Sequence, residues 1–75
     1  MITIYRTSTC VYCKMVEKLY DMKGIKYKEV VLDNEPELRQ EVINRSGAMT
    51  VPITVKGDWE AFVIGWQPAK LLALA

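Results

Sequence analysis

Cys10 and Cys13 are the only cysteines in this 75-residue chain, and only Val11 and Tyr12 stand between them. A β-type run, Ile2-Thr3-Ile4-Tyr5, precedes the pair, and a helix-type run to Lys23 follows it. A thiol at the first turn of a helix feels unpaired N–H groups and the positive end of the macrodipole. Both favour the thiolate, the nucleophile of disulfide exchange, and in such motifs the thiol pKa falls from about 8.5 to roughly 3.5–7.5. Cys10 is therefore the expected nucleophile. Cys13, one turn further in, is the expected resolving thiol. Arg6 and Lys14 are the nearby cations available to support the thiolate. The same pair is also half of a metal site. Zinc takes four Cys or His ligands, and the chain offers two cysteines and no histidine. A complete site would need a second chain or an external ligand, so no metal is expected. Two inert core thiols are disfavoured by the polar loop and helix start that flank the pair.

The elements that must position these thiols follow from hydrophobic periodicity. Ile2 to Tyr5 reads as a strand. Ser8 or Thr9 is placed to cap the helix from Val11 to Lys23, whose Met15, Val16, Leu19, Tyr20 and Met22 fall mostly on one face. Gly24 stands where a left-handed stop is expected. Lys26 to Leu32 is a second strand. Asn34 with Glu37 fits a capping box, Pro36 suits a first turn, and Leu38, Val42 and Ile43 form the next helix's core stripe up to Gly47. Val51 to Val55 and Glu60 to Ile64 are strands around the Lys56-Gly57-Asp58 turn. Pro68 opens a last helix with Leu71, Leu72 and Leu74 facing inward. A βαβ unit demands a parallel pair with a right-handed crossover, and the second half adds a hairpin and a closing helix. The order β-α-β-α-β-β-α predicts an α/β domain spanning residues 1–75, a four-stranded mixed sheet with helices on both faces. A C-x-x-C beside a βαβ pattern reads as thioredoxin-like.

Composition narrows the function. Ten basic and nine acidic residues leave a net charge of +1, which points to neither nucleic acid nor an anionic membrane. No apolar run approaches the roughly 20 residues that span a bilayer. No leader pattern is visible at the N-terminus, so a cytoplasmic monomer is the expectation. Pro52 at the start of a strand is expected to follow a cis bond, with the Val51 N–H and C=O turned toward the cysteine loop to pair with an extended substrate. Trp59 and Trp66 are candidates for an apolar docking surface around the loop.

Ile4-Tyr5, Cys10-Val11-Tyr12-Cys13, Thr50-Val51-Pro52 and a Gly-containing loop before the last helix together resemble the glutaredoxin family across essentially the whole chain. The resemblance implies that Cys10 attacks, Cys13 resolves, and Thr50, Val51 and Pro52 hold the substrate. Tyr12 matches the Tyr usual between glutaredoxin cysteines, and Val11 replaces the usual Pro. Two departures bear on glutathione. Glutathione-using members usually carry Lys three residues before the first Cys, where this chain has Thr7. They also carry an acidic Gly-Gly-x-Asp-Asp segment, where this chain reads Gly65-Trp66-Gln67-Pro68-Ala69. Loss of a charge-assisted bond costs roughly 1.5–3 kcal/mol.

The Gly65-Trp66-Gln67-Pro68 segment is similar to the aromatic loop of the NrdH-redoxin branch, although that branch usually has Gln at the position of Tyr12. The branch implies electrons from NADPH through thioredoxin reductase, delivered to a disulfide protein such as ribonucleotide reductase, with Tyr12, Gly65 and Trp66 joining the substrate-binding set and no bound cofactor. The alternatives are a glutathione-dependent glutaredoxin and a metal or iron–sulfur carrier. Carriers commonly keep only the first cysteine.

Overall fold

Alternation along the first strand decides how the sheet is covered. The computed structural model describes residues 1–75. In β1 (Ile2–Arg6), Ile2, Ile4 and Arg6 are buried while Thr3 and Tyr5 are half-buried on the opposite side. The chain continues through α1 (Val11–Met22), β2 (Tyr27–Val31), α2 (Pro36–Ser46), β3 (Ile53–Lys56), β4 (Ala61–Ile64) and α3 (Pro68–Leu74). The sheet order is β2-β1-β3-β4. β2 runs parallel to β1 with Ile4 opposite Glu29, and β3 and β4 are antiparallel to their neighbours.

Each face has its own core. Ile2, Ile4, Val16, Tyr20, Val63, Leu71 and Leu74 join the sheet to α1 and α3. Val42, Ile53 and Val55, with Tyr5, Trp59 and Ile64 beside them, fill the space under α2. This is the thioredoxin-like arrangement with helices on both faces. Fully burying an aliphatic or aromatic side chain stabilises by about 1.5–3 kcal/mol, so a domain this small depends on nearly every one of these residues. Tyr20 is wholly buried, and its O–H donates to the Leu71 carbonyl at 2.7 Å, tying α1 to α3. No helix is long and apolar enough to cross a membrane.

Local boundaries show where tertiary demands overrode the sequence pattern. The N-cap of α1 is Cys10 itself rather than Ser8 or Thr9. Ser8 is instead engaged with Asp33 through both its N–H, at 3.1 Å, and its hydroxyl. The end of α1 follows the glycine signal. Gly24, at φ +69°, donates to the Asp21 carbonyl and Ile25 donates to that of Tyr20, which satisfies two orphan carbonyls.

Asn34 does not cap α2. It adopts φ +61° in the turn closed by the Glu35 N–H on the Leu32 carbonyl, and Glu35 takes the N-cap position without a side-chain bond. β3 begins at Ile53 because proline has no N–H for the ladder. β4 begins at Ala61, since the Glu60 N–H closes the turn onto Lys56. Of the α2 stripe only Val42 is fully buried, and Met22 and Leu72 face solvent. Leu72 lies on the outer face because a seven-residue helix packed on one side has room for Leu71 and Leu74 only.

Candidate active site

The β1–α1 loop, the segment before β3 and the β4–α3 loop converge on the cysteine pair. Cys10 and Cys13 are joined as a disulfide, with Cα atoms 5.2 Å apart. Their exposure differs. Cys13 is completely buried and Cys10 is half-buried, so the Cys10 sulfur is the one an incoming thiol can reach. The Cys13 N–H points at Cys10 Sγ from 3.1 Å, making the sulfur the helix-capping acceptor. An N–H aimed at sulfur from the first turn of a helix stabilises negative charge there once the disulfide opens.

The Val51–Pro52 bond is cis. The Val51 carbonyl oxygen lies 3.8 Å from Cys10 Sγ, and neither its N–H nor its C=O bonds to the rest of the backbone. The Pro52 carbonyl accepts the Gly65 N–H at 2.9 Å, which docks the β4–α3 loop against this segment. Gly65 adopts φ +76°, a conformation glycine allows without steric cost. Gln67 shapes the same loop by donating to the Ile64 carbonyl at 2.7 Å.

Tyr12, Thr50, Val51, Gly65 and Trp66 line one open cavity of about 430 Å³ beside the cysteines. No ionisable carboxyl or amine is among its walls. Tyr12 on its wall is 57% exposed, and Val11 and Met49, the chain neighbours of Tyr12 and Thr50, are 68% and 76% exposed, apolar side chains of the kind that mark a contact surface. Trp66 also forms a wall of a second groove of about 270 Å³ with Met15, Lys18, Leu19 and Met22. Trp59 is elsewhere. It stacks on Tyr5 and meets Phe62 edge-on, with Arg45 over its ring, on the α2 side of the sheet.

The two cations singled out in the sequence are placed differently. Lys14 is exposed on α1 and makes no ion pair. Arg6 is buried, with its guanidinium on Glu17 and its Nε donating to the Thr7 carbonyl at 3.1 Å, so its charge is committed away from the sulfurs. Burial, strengthened by the nearby Glu29 carboxyl, pushes the Glu17 carboxyl up to about 7 despite Arg6. Asp33 is held below the usual carboxylate range, first by the Ser8 hydroxyl and then by the Ser8 N–H. No group of three or more His, Cys, Asp or Glu side chains is placed to hold a metal ion.

Ser8–Asp33 and Arg6–Glu17 are contacts that sequence reading missed. Neither acid stood out in the sequence; the one available signal for Glu17 was its position four residues after Cys13, on the same helix face.

Comparison with known proteins agrees with this geometry. Residues 2–59 match the family model described as Glutaredoxin. The chain is 36% identical over 75 residues to the glutaredoxin-like protein NrdH of Lactococcus lactis subsp. cremoris, covering 100% of both chains. It is 39% identical over 51 residues to a glutaredoxin of Pseudomonas aeruginosa, an alignment spanning 68% of this chain and 61% of that one. Among solved structures, the glutaredoxin-like protein NrdH-redoxin from Escherichia coli, whose structure is described as the basis of a thioredoxin-like activity profile, superposes with a TM-score of 0.82. It shares 26% identity over 99% of this chain and 93% of its own.

Proposed function

This chain belongs to the glutaredoxin family and is a thiol–disulfide oxidoreductase, and from that premise we propose a small dithiol electron carrier that reduces protein disulfides in the cytoplasm. In this reading Cys10 and Cys13 are the redox pair, and a thioredoxin reductase drawing on NADPH recharges them. Ribonucleotide reductase is a fitting recipient. The Cys10 thiolate attacks one sulfur of a substrate disulfide, forming a mixed disulfide and releasing the other sulfur as a thiolate. The Cys13 thiolate then attacks Cys10 Sγ, expelling the second substrate thiolate and leaving the Cys10–Cys13 disulfide. Two electrons pass to the substrate, and the reductase returns two.

One observation carries the choice of partner. The cavity formed by Tyr12, Thr50, Val51, Gly65 and Trp66 offers no charged side chain to the two charged ends of a zwitterionic tripeptide. The exposed apolar side chains of Val11, Tyr12 and Met49 suit the flank of a protein disulfide instead, laid as a strand against the open Val51 N–H and C=O. The Pro52 ring, itself buried, backs that edge. Tyr12 on the cavity wall supports the second reading, a glutathione-dependent glutaredoxin.

Turnover assays separate the two. NADPH, thioredoxin reductase and a protein disulfide should sustain turnover. Glutathione with glutathione reductase should sustain it weakly, because a lost charge-assisted bond of roughly 1.5–3 kcal/mol weakens binding about 10- to 100-fold. Turnover with the glutathione system and none with thioredoxin reductase overturns the proposal.

A further inference from the structure

Behind the dithiol, between α1 and the sheet, lies a polar cluster that disulfide exchange does not itself require. Arg6, at the end of β1, is buried with its side chain 8% exposed. Its guanidinium is held by Glu17 Oε1, and its Nε donates to the Thr7 carbonyl at 3.1 Å. That same carbonyl accepts the Cys10 N–H at 3.4 Å. A continuous chain of bonds therefore runs from Glu17 through Arg6 and Thr7 to the backbone of the accessible cysteine.

The carboxyl at the start of this chain has two unequal oxygens. Glu17 Oε2 is buried and meets no donor in the protein. The neighbouring acid is Glu29 on β2, opposite Ile4 in the ladder and so on the α1 face of the sheet. Two ionised carboxylates have no hydrogen between them, and one shared proton supplies it. Arg6, Glu17 and Glu29 with that proton are electrically neutral; without it the site carries one excess negative charge, beside Arg6 and Glu17 side chains that are only 8% and 12% exposed. The other titratable groups near the site are Tyr27 on β2, Asp21 on α1 and Asp33 just after β2.

We propose that Arg6, Glu17 and Glu29 form a positioning network for Cys10, in which a proton shared by the two carboxyls sets how Arg6 holds the Thr7 carbonyl. The inference rests on the oxidoreductase reading of the cysteine pair but not on the identity of the reductant. Burial and Glu29 raise Glu17 to about 7, with Arg6 opposing, so the proton is exchanged in the neutral range. Its departure drives the carboxylates apart and pulls Arg6 between them. The Thr7 carbonyl and the Cys10 N–H follow.

Nuclear magnetic resonance of the oxidised protein tests this directly, because its cysteines are bonded and do not titrate. The chain has no histidine, so no imidazole contributes an inflection in the neutral range. In wild type the Cys10 amide shift should inflect near neutral pH. Glu17→Gln should abolish that inflection. Glu29→Gln, at an exposed position, should move it down by about one pH unit or more by removing the like charge. It therefore decides the matter even if Glu17→Gln folds poorly.

The rate at which dithiothreitol reduces the Cys10–Cys13 disulfide gives the functional readout. The ratio of Glu29→Gln to wild type should change across the same inflection, with the reagent's own ionisation cancelling. A Cys10 amide that does not inflect, an inflection that Glu29→Gln leaves unmoved, or a ratio constant from about pH 5 to about pH 9 overturns the network. Failure of the reductase reading would show separately, as absent turnover in wild type.

Discussion

Cys10 and Cys13 hold unequal positions, and that inequality assigns their variants different fates. Cys10 is reachable and caps its helix; Cys13 is buried one turn on. Cys10→Ser should abolish reductase turnover. Cys13→Ser should stall after the first exchange, leaving a covalent adduct with a substrate protein that non-reducing electrophoresis and intact mass detect. Full activity in the Cys10 variant would refute the assignment. The residues of the site were unevenly legible. Two cysteines at one helix turn and a proline between a Thr-Val pair and a strand announce themselves because each has few structural uses. Arg6 does not. Its position four residues before Cys10 suggested support for the thiolate, whereas alternation along β1 turns it inward to Glu17. Which way a side chain points was visible in the pattern; what waits for it there was not, since Glu17 comes from an element eleven residues on.

At the level of elements, the order of strands and helices was plain from periodicity and from glycine and proline. Errors gathered at caps and on the last helix. Asn34 fitted a capping box, and the turn from Leu32 to Glu35 took it for its left-handed conformation instead. In α3 the apolar residues Leu71, Leu72 and Leu74 are too close-set for periodicity to sort. Packing sorts them. Leu71 is fully buried beneath the Tyr20 bond, Leu74 lies beside it in the core, and Leu72 is 38% exposed. Leu71→Ala should therefore cost about 2–5 kcal/mol in urea unfolding, while Leu72→Ala should stay within about 0.5 kcal/mol. Equal losses would mean that α3 packs in another rotation. Because only Gln67 separates Trp66 from α3, a loosened α3 also frees the wall shared by both grooves.

For the molecule as a whole, Glu17 and Asp33 tie stability to pH with opposite signs. Glu17 in the folded protein holds its proton up to about 7, against an ordinary value of 4.5. Between those values the folded state binds more protons than the unfolded one, so stability is full below about 4.5 and is lost as pH rises through about 7. Asp33 is depressed below its ordinary 3.8 by Ser8. Its contribution is present above that value and lost as pH falls through the lower folded one. The two limbs place the maximum contribution of these groups on the acid side of neutrality. Urea midpoints measured from about pH 3 to about pH 8 should therefore decline toward both ends. Glu17→Gln should flatten the neutral limb and leave the acid limb. Asp33→Asn should do the reverse, because it removes the ionised acceptor that Ser8 holds. The slope of each limb is the readout, so a uniform loss from removing Arg6's partner does not confuse it. A neutral limb unchanged in Glu17→Gln would mean that the proton resides elsewhere, and that the core beneath the active-site helix tolerates the ionised pair.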